Sequence, residues 1–238
     1  MTDAGSSQAF AAERTLVVAP HPDDESLGCG GALARFAALG RQTHTIFVTD
    51  GGASHSGSAT WSRERLAIQR EVEASNALEC LGAGDHPRSF LRLRDADMPT
   101  EGTALWHEAK STVVGIVKDF RPDLVLLPWR RDPHRDHRDS WGLVTAALAT
   151  AAQQPLQLEY AIWLDELGAA DDRPRAGEMV ERRLDITSYQ AVKRRAVTAH
   201  VSQTSDLIAD DPDGFRLTAA TIARLTGPEE IYWQPCER

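Results

Sequence analysis

Short apolar runs alternate with amphipathic stretches through the first two thirds of the chain. Thr15–Ala19 (TLVVA) has the apolar pattern of a strand buried on both faces, and Pro20 stops it. Gly28–Leu39 repeats apolar residues at helical spacing and meets Gly40 where a helix would close. His44–Thr49 predicts a second strand, followed by Asp50-Gly51-Gly52 and a loop rich in Ser and Gly, Ala53–Ala59. Trp61–Leu81 predicts a long helix closed by Gly82, and Phe90–Leu93 a short strand. Ala104–Phe120 predicts a helix broken by Arg121-Pro122-Asp123, and Leu124–Leu127 a fully apolar strand ended by Pro128. Asp132-Pro133 reads as an N-cap with proline at the first helical position, opening a helix that runs to about Ala152.

Beyond Pro155 the pattern is less regular. Leu158–Leu164 and Met179–Asp185 predict strands, Ser188–Val201 a helix, and Asp210–Gly214 a turn. The βαβα order predicts an α/β fold, a Rossmann-like three-layer αβα sandwich with a mostly parallel sheet and right-handed crossovers. No repeat or long linker divides the chain. A flexible tail over 1–14 and a single domain over 15–238 are expected, with 155–238 the more variable, substrate-shaping part.

Composition narrows the function classes. The 238 residues, 42% hydrophobic, suffice for a full core, and the net charge of −9 argues against nonspecific binding to nucleic acid. No run approaches the roughly 18 apolar residues of a membrane span. The first fourteen residues lack a basic start and an apolar stretch, and the three cysteines are scattered, so a cytoplasmic protein without disulfides is expected. Cys29 has no partner at thiolate spacing and reads as a small buried hydrophobe.

Two polar clusters change the picture. Immediately after the first strand come His21, Asp23, Asp24 and Glu25, one imidazole and three carboxylates within five residues. Crowding that much negative charge is costly unless a cation sits among it. After the Leu124–Leu127 strand comes Trp129-Arg130-Arg131-Asp132-Pro133-His134-Arg135-Asp136-His137, with two histidines at i, i+3 on one helical face. Both clusters follow carboxyl ends of predicted parallel strands, the edge where open α/β sheets bind ligands. Two histidines, one carboxylate and an open position are a catalytic zinc arrangement. An unligated carboxylate nearby can act as general base, and a spare protonated histidine can stabilise an oxyanion and protonate an amine. Gly28-Cys29-Gly30-Gly31 does not fit the dinucleotide fingerprint; it reads as close helix–sheet packing, which weighs against an oxidoreductase.

PHPDDE after the first strand with HRDH after a later one resembles the PIG-L/LmbE-like family of zinc-dependent N-acetylglucosaminyl deacetylases, over roughly residues 15 to 205. The resemblance implies His21, Asp24 and His137 as ligands of Zn2+, a set that also accepts Fe2+ or Co2+. It implies Asp23 as general base, His134 as oxyanion stabiliser and acid, and Asp136 as the residue that orients and charges His134. Arg70 and Asp95 are expected at the substrate, and Trp129 either as a sugar-stacking face or packed over its own loop. Glu25 reads as a helix-start charge only, and His200-Val201-Ser202-Gln203 resembles a family segment with no chemistry assigned. Arg70 has a structural alternative, pairing with Glu73 at i+3. The implied partner is a small amino-sugar conjugate, and a homo-oligomer is compatible with the pattern. The rival expectation is a zinc-holding carbohydrate-binding or regulatory module without turnover. The Gly51–Gly57 loop, on the same sheet edge, is a candidate lid.

Overall fold

The computed structural model describes residues 9–151 and 154–236. Its strands are β1 (Arg14–Ala19), β2 (Gln42–Thr49), β3 (Arg88–Leu93), β4 (Leu124–Pro128), β5 (Leu156–Tyr160), β6 (Met179–Asp185) and β7 (Glu229–Pro235). Its helices of seven residues or more are α1 (Asp24–Ala38), α2 (Arg63–Cys80), α3 (Ala104–Phe120), α4 (Arg135–Leu148), α5 (Gln190–Ala199) and α6 (Ala219–Leu225). The strands form one sheet in the order β3-β2-β1-β4-β5-β7-β6. The first five pair in parallel, whereas β7 runs antiparallel to both β5 and β6.

β1 and β4 are direct neighbours, with Thr15, Leu16 and Val17 opposite Leu124, Val125 and Leu126. The strand order reverses between them, so this is a topological switch point, where loops leaving adjacent strands part and open a crevice. The two polar clusters leave the sheet there.

Both faces of the sheet are covered. Val17 and Ala19 of β1 pack with Leu27, Leu33 and Phe36 of α1, Ala74 and Ala77 of α2, and Ala196 and Val197 of α5. Leu16 and Val18, pointing the other way, pack with Val113 and Val117 of α3 and Leu143 and Val144 of α4. This period-two alternation buries β1 on both sides and explains its unbroken apolar run. Among the described residues, no helix is long and apolar enough to cross a membrane.

Several boundaries differ from the expected ones. α1 begins at Asp24, not Gly28, because its first turn is the polar motif itself, with Asp24, Glu25 and Ser26 all buried. β5 ends at Tyr160, not Leu164, since Asp132 Oδ2 accepts the amides of Ile162 and Trp163 and a four-residue helix, Leu164–Leu167, follows. α4 starts one residue after His134, which replaces Asp132 as N-cap, and it ends at Leu148, so the expected stop at Ala152 lies outside the described residues. β7 and α6 had no clear signal in the sequence.

The glycine cluster of α1 does serve packing. A Cβ on Gly28 would sit 2.2 Å from the Tyr160 ring, and one on Gly31 would sit 2.4 Å from Ile186. Tyr160 cannot retreat easily: it is buried and its hydroxyl donates to Val18 O at 2.7 Å. Gly28→Ala is therefore expected to destabilise by about 1–3 kcal/mol, the usual cost of overpacking. Gly115 in α3 has nothing within 4 Å of a built Cβ. Gly115→Ala should instead stabilise by about 0.5–1 kcal/mol. Urea midpoints of the two variants test the contrast.

Candidate active site

β1 delivers Pro20, His21, Pro22 and Asp23 into a turn that leads directly into α1. Thr49 of β2 ties it down, its amide and hydroxyl both donating to Pro20 O at 2.9 Å. Asp23 has φ 147° and ψ −26°, a left-handed backbone that costs a non-glycine residue roughly 1–3 kcal/mol. Surrounding bonds hold it there. The Asp23 amide donates to Glu25 Oε2 at 3.0 Å, and its carbonyl accepts Ser26 and Leu27 amides at 3.0 and 2.9 Å. Arg70 of α2 reaches across with Nη2 3.0 Å from Asp23 Oδ2, while also donating to Gly51 O and Pro22 O. Burial pushes the Asp23 carboxyl up to about 6 against the pull of Arg70. At neutral pH it is mostly ionised and able to accept a proton.

The turn meets the start of α4. Asp24 Oδ2 lies between two imidazoles, 3.1 Å from His21 Nδ1 and 3.2 Å from His137 Nε2. His21 Nε2 lies 3.2 Å from Asp136 Oδ2 and 3.4 Å from Asp95 Oδ1. Donor atoms of His21, His134 and His137 fall within 4.8 Å of one another, as do those of His21, Asp95 and Asp136. Burial alone would hold His21 and His137 neutral. Asp136, Asp24 and Asp95 instead raise His21 well above its ordinary value, and Asp24 and Asp132 raise His137 to about 9. Burial would raise Asp24, but His137 and His21 hold it well below the usual carboxylate range.

The cluster thus requires positive charge, which protonated histidines or a divalent metal can supply. His137 supports a metal among these donors: it is fully buried, and neither ring nitrogen makes a hydrogen bond, although carboxylates lie at 3.2 and 3.5 Å. The second of these, Asp132, is also fully buried and accepts the His134 amide at 3.0 Å. A carboxylate behind a ligating histidine fixes its tautomer and ring orientation. The sequence pattern alone marks Asp132 only as an N-cap. Its position five residues before His137 was the available signal.

His134 and Asp136 are not joined as expected. The Asp136 carboxylate turns to His21 and to the Ala96 amide, 2.8 Å away; only its backbone N–H reaches His134, at Nδ1. An Nδ1 that accepts this amide leaves the ring proton on Nε2. Burial, helped by the positive charge of His21 and His137, lowers His134 to about 4. A neutral Nε2–H donor therefore replaces the expected protonated histidine oriented by Asp136.

Two further expectations need correction. Trp129 has no exposed face: it packs 4.8 Å from Trp233, Arg131 stacks at 4.7 Å, and its Nε1 donates to Asp172 O. It therefore offers no stacking surface to a sugar. Glu25 is more than a helix-start charge: it is fully buried and bonds the Asp23 amide, Ser26 Oγ and His200 Nε2. Nor does Arg70 pair with Glu73, which instead accepts the Ser202 amide and hydroxyl.

A cavity of ≈ 500 Å³ opens over these groups. Asp23, Asp24, His21, His134, Arg70 and Asp95 form part of its lining, and Trp163 and Phe215, packed edge-to-face at 5.7 Å, supply an aromatic wall. Asp95 also accepts the Ala53 amide at 2.8 Å. Both aromatics lie after residue 155, Trp163 within the stretch expected to be a strand, and no motif marks either as facing a site. The loop read as a lid is pinned: Asp211 accepts the Gly57 amide, Asp210 accepts Ser58 Oγ and the amides of Ala59 and Thr60, and Ser54 O accepts the Phe215 amide.

The family model described as GlcNAc-PI de-N-acetylase (PIG-L) matches residues 16–148. The 1D-myo-inositol 2-acetamido-2-deoxy-alpha-D-glucopyranoside deacetylase of Mycolicibacterium vanbaalenii is 29% identical over 264 residues, covering 92% of this chain and 89% of the relative. The solved N,N'-diacetylchitobiose deacetylase of Pyrococcus horikoshii superposes with a TM-score of 0.73 at 21% identity, over 96% of this chain and 86% of its own. The 4-carboxy-2-hydroxymuconate hydratase GalB of Pseudomonas putida superposes at 0.63 with 22% identity, over 79% of this chain and 78% of its own. One fold thus serves hydrolysis and hydration, and the reaction has to be argued from the site.

Proposed function

Because the chain belongs to the GlcNAc-PI de-N-acetylase (PIG-L) family, we propose that it is a metal-dependent amidohydrolase that removes acetyl from a small N-acetylglucosamine conjugate. The proposed ligands are His21, Asp24 and His137, with zinc the expected ion for two histidines and one carboxylate. The observation that carries the reading is His137, whose buried ring nitrogens face two carboxylates without a hydrogen bond. A divalent metal there supplies Lewis acidity toward the acetyl carbonyl and acidifies a water.

The chain's own residues do the rest. Asp23, held by Arg70, takes the proton of the attacking water. His134 donates from Nε2 to the oxyanion that forms as the water oxygen adds to the carbonyl carbon. The carbon–nitrogen bond then breaks as the amine nitrogen takes the proton that Asp23 removed from the water, so one water is divided between acetate and a free amine. Asp95 lines the cavity at the sugar's proposed position, and Arg70 serves chiefly to hold the base. Within the single proposed domain, Trp163 and Phe215 support a substrate-shaping role for 155–238.

Acetate release is the direct test. Metal-loaded protein is offered a panel that includes an N-acetylglucosaminyl inositol and N,N'-diacetylchitobiose. We expect release from at least one, abolished by a chelator and restored by Zn2+, Co2+ or Fe2+. Release that persists undiminished after metal removal would reject the metal-dependent mechanism, and no release from any member would favour a binding module.

A further inference from the structure

The segment His200-Val201-Ser202-Gln203 sits behind the catalytic turn, outside the proposed reaction, yet it bonds to the turn, to the Arg70 helix and to the cavity wall. His200 is fully buried at the end of α5, and its Nε2 lies 2.9 Å from Glu25 Oε1. The other oxygen of Glu25 accepts the Asp23 amide. Two residues on, Ser202 donates its amide and hydroxyl to Glu73, one turn beyond Arg70 on α2. Gln203 Nε2 reaches Ser54 Oγ in the cavity wall at 3.1 Å, and Gln203 O accepts the Leu217 amide.

The Glu25 carboxylate is one residue from Asp24 and two from Asp23, and all three are buried. Like charges so placed repel, so a Glu25 without an opposing donor would turn away. His200 supplies the opposing donor from the far side. The Asp23 amide is the only backbone donor bound to Glu25 among the described residues, and it belongs to the residue with the left-handed backbone.

We propose that His200, acting through Glu25, is a positioning residue for the reaction: it holds the Glu25 carboxylate on the Asp23 amide and so keeps the base facing the cavity. The inference rests on the reading of Asp23 as the base. It assigns the segment a mechanical task, aligning the base turn, the Arg70 helix and the cavity wall as one unit. Charge-assisted bonds in a dry interior are short and directional, which suits them to fixing a carboxylate within the tolerance that proton transfer demands.

The test compares His200→Leu with His200→Gln, whose amide can still donate to Glu25. Loss of alignment predicts that His200→Leu lowers kcat about 100-fold, with KM and bound-metal stoichiometry within about threefold of the parent. His200→Gln should recover most of that loss. Adding Glu25→Gln to His200→Leu should cost little more, since both cut the same link. If Leu is not tolerated, Glu25→Gln alone is read by the same kcat and KM split. Amide hydrogen exchange of the 20–27 segment, slow in the parent and faster in His200→Leu, reads the brace without any turnover. A kcat within about threefold of the parent, a parallel fall of kcat, metal content and KM performance, or unchanged exchange would overturn the proposal. If the parent itself releases no acetate, the deacetylase reading fails, while the exchange experiment still judges the brace.

Discussion

Asp23→Asn is expected to lower deacetylation by about 10³-fold, within the 10²–10⁴ range of general-base catalysis, and to leave the metal in place. Asn is the informative replacement. It keeps the size of the side chain and, with Asp, is among the few residues that tolerate a positive φ, so the turn at φ 147° survives. Its amide oxygen can still accept from Arg70, which keeps a hydrogen-bond acceptor there although the ion pair is lost. What disappears is the ability to take a proton. The loss should fall on kcat, because the proton moves only as the water attacks. Steady-state acetate release and metal analysis on one preparation check this. Activity within tenfold of the parent would remove Asp23 as the base, and loss of the metal would move it into the ligand set.

The second large effect is expected at His137. His137→Ala should abolish stoichiometric metal binding, exceeding the 10–100-fold typical of residues behind the ligands. It should also destabilise the metal-free protein by about 3 kcal/mol, because Asp24 and Asp132 would lose the buried cation between them. His134→Ala makes the contrast: it should keep the metal and lose rate, since His134 is neutral and caps α4. A His137→Ala protein that retains one tightly bound metal would contradict the ligand assignment.

The same residue gives a pH dependence with a definite sign. Its folded-state pKa, raised to about 9, lies above its unfolded value. The stability contributed by protonated His137 is therefore full below about 6.5, its ordinary pKa. It is lost as pH rises through about 9. Metal affinity should rise over that same window, because protons and metal compete for the ring. Melting temperatures of chelated and metal-loaded protein across the window should diverge as pH rises.

Much of this was legible in the chain. The apolar runs marked β1, β2 and β4, because a strand buried on both faces announces itself without reference to its neighbours. Gly40 and Gly82 marked helix ends because a left-handed closing residue is a local demand, and both have positive φ. The sequence alone joins the two polar clusters, since loops at the carboxyl ends of parallel strands share one edge of the sheet. β7 was missed for the opposite reason: its place between β5 and β6 depends on partners far away in sequence.

By itself, the sequence determined which residue types gather at the switch point, and so the kind of chemistry available there. Only the tertiary structure decided which group touches which. The pair His21 and Asp136 spans 115 residues, and His200 and Glu25 span 175. Periodicity says which face of an element a side chain occupies, but a hydrogen bond requires placement to within a few tenths of an ångström. That placement comes from packing of the whole sheet and its two helical layers. Hence Asp136 reached His21 rather than His134, Trp129 vanished beneath the arginines, and Glu25 became the link between the base and His200.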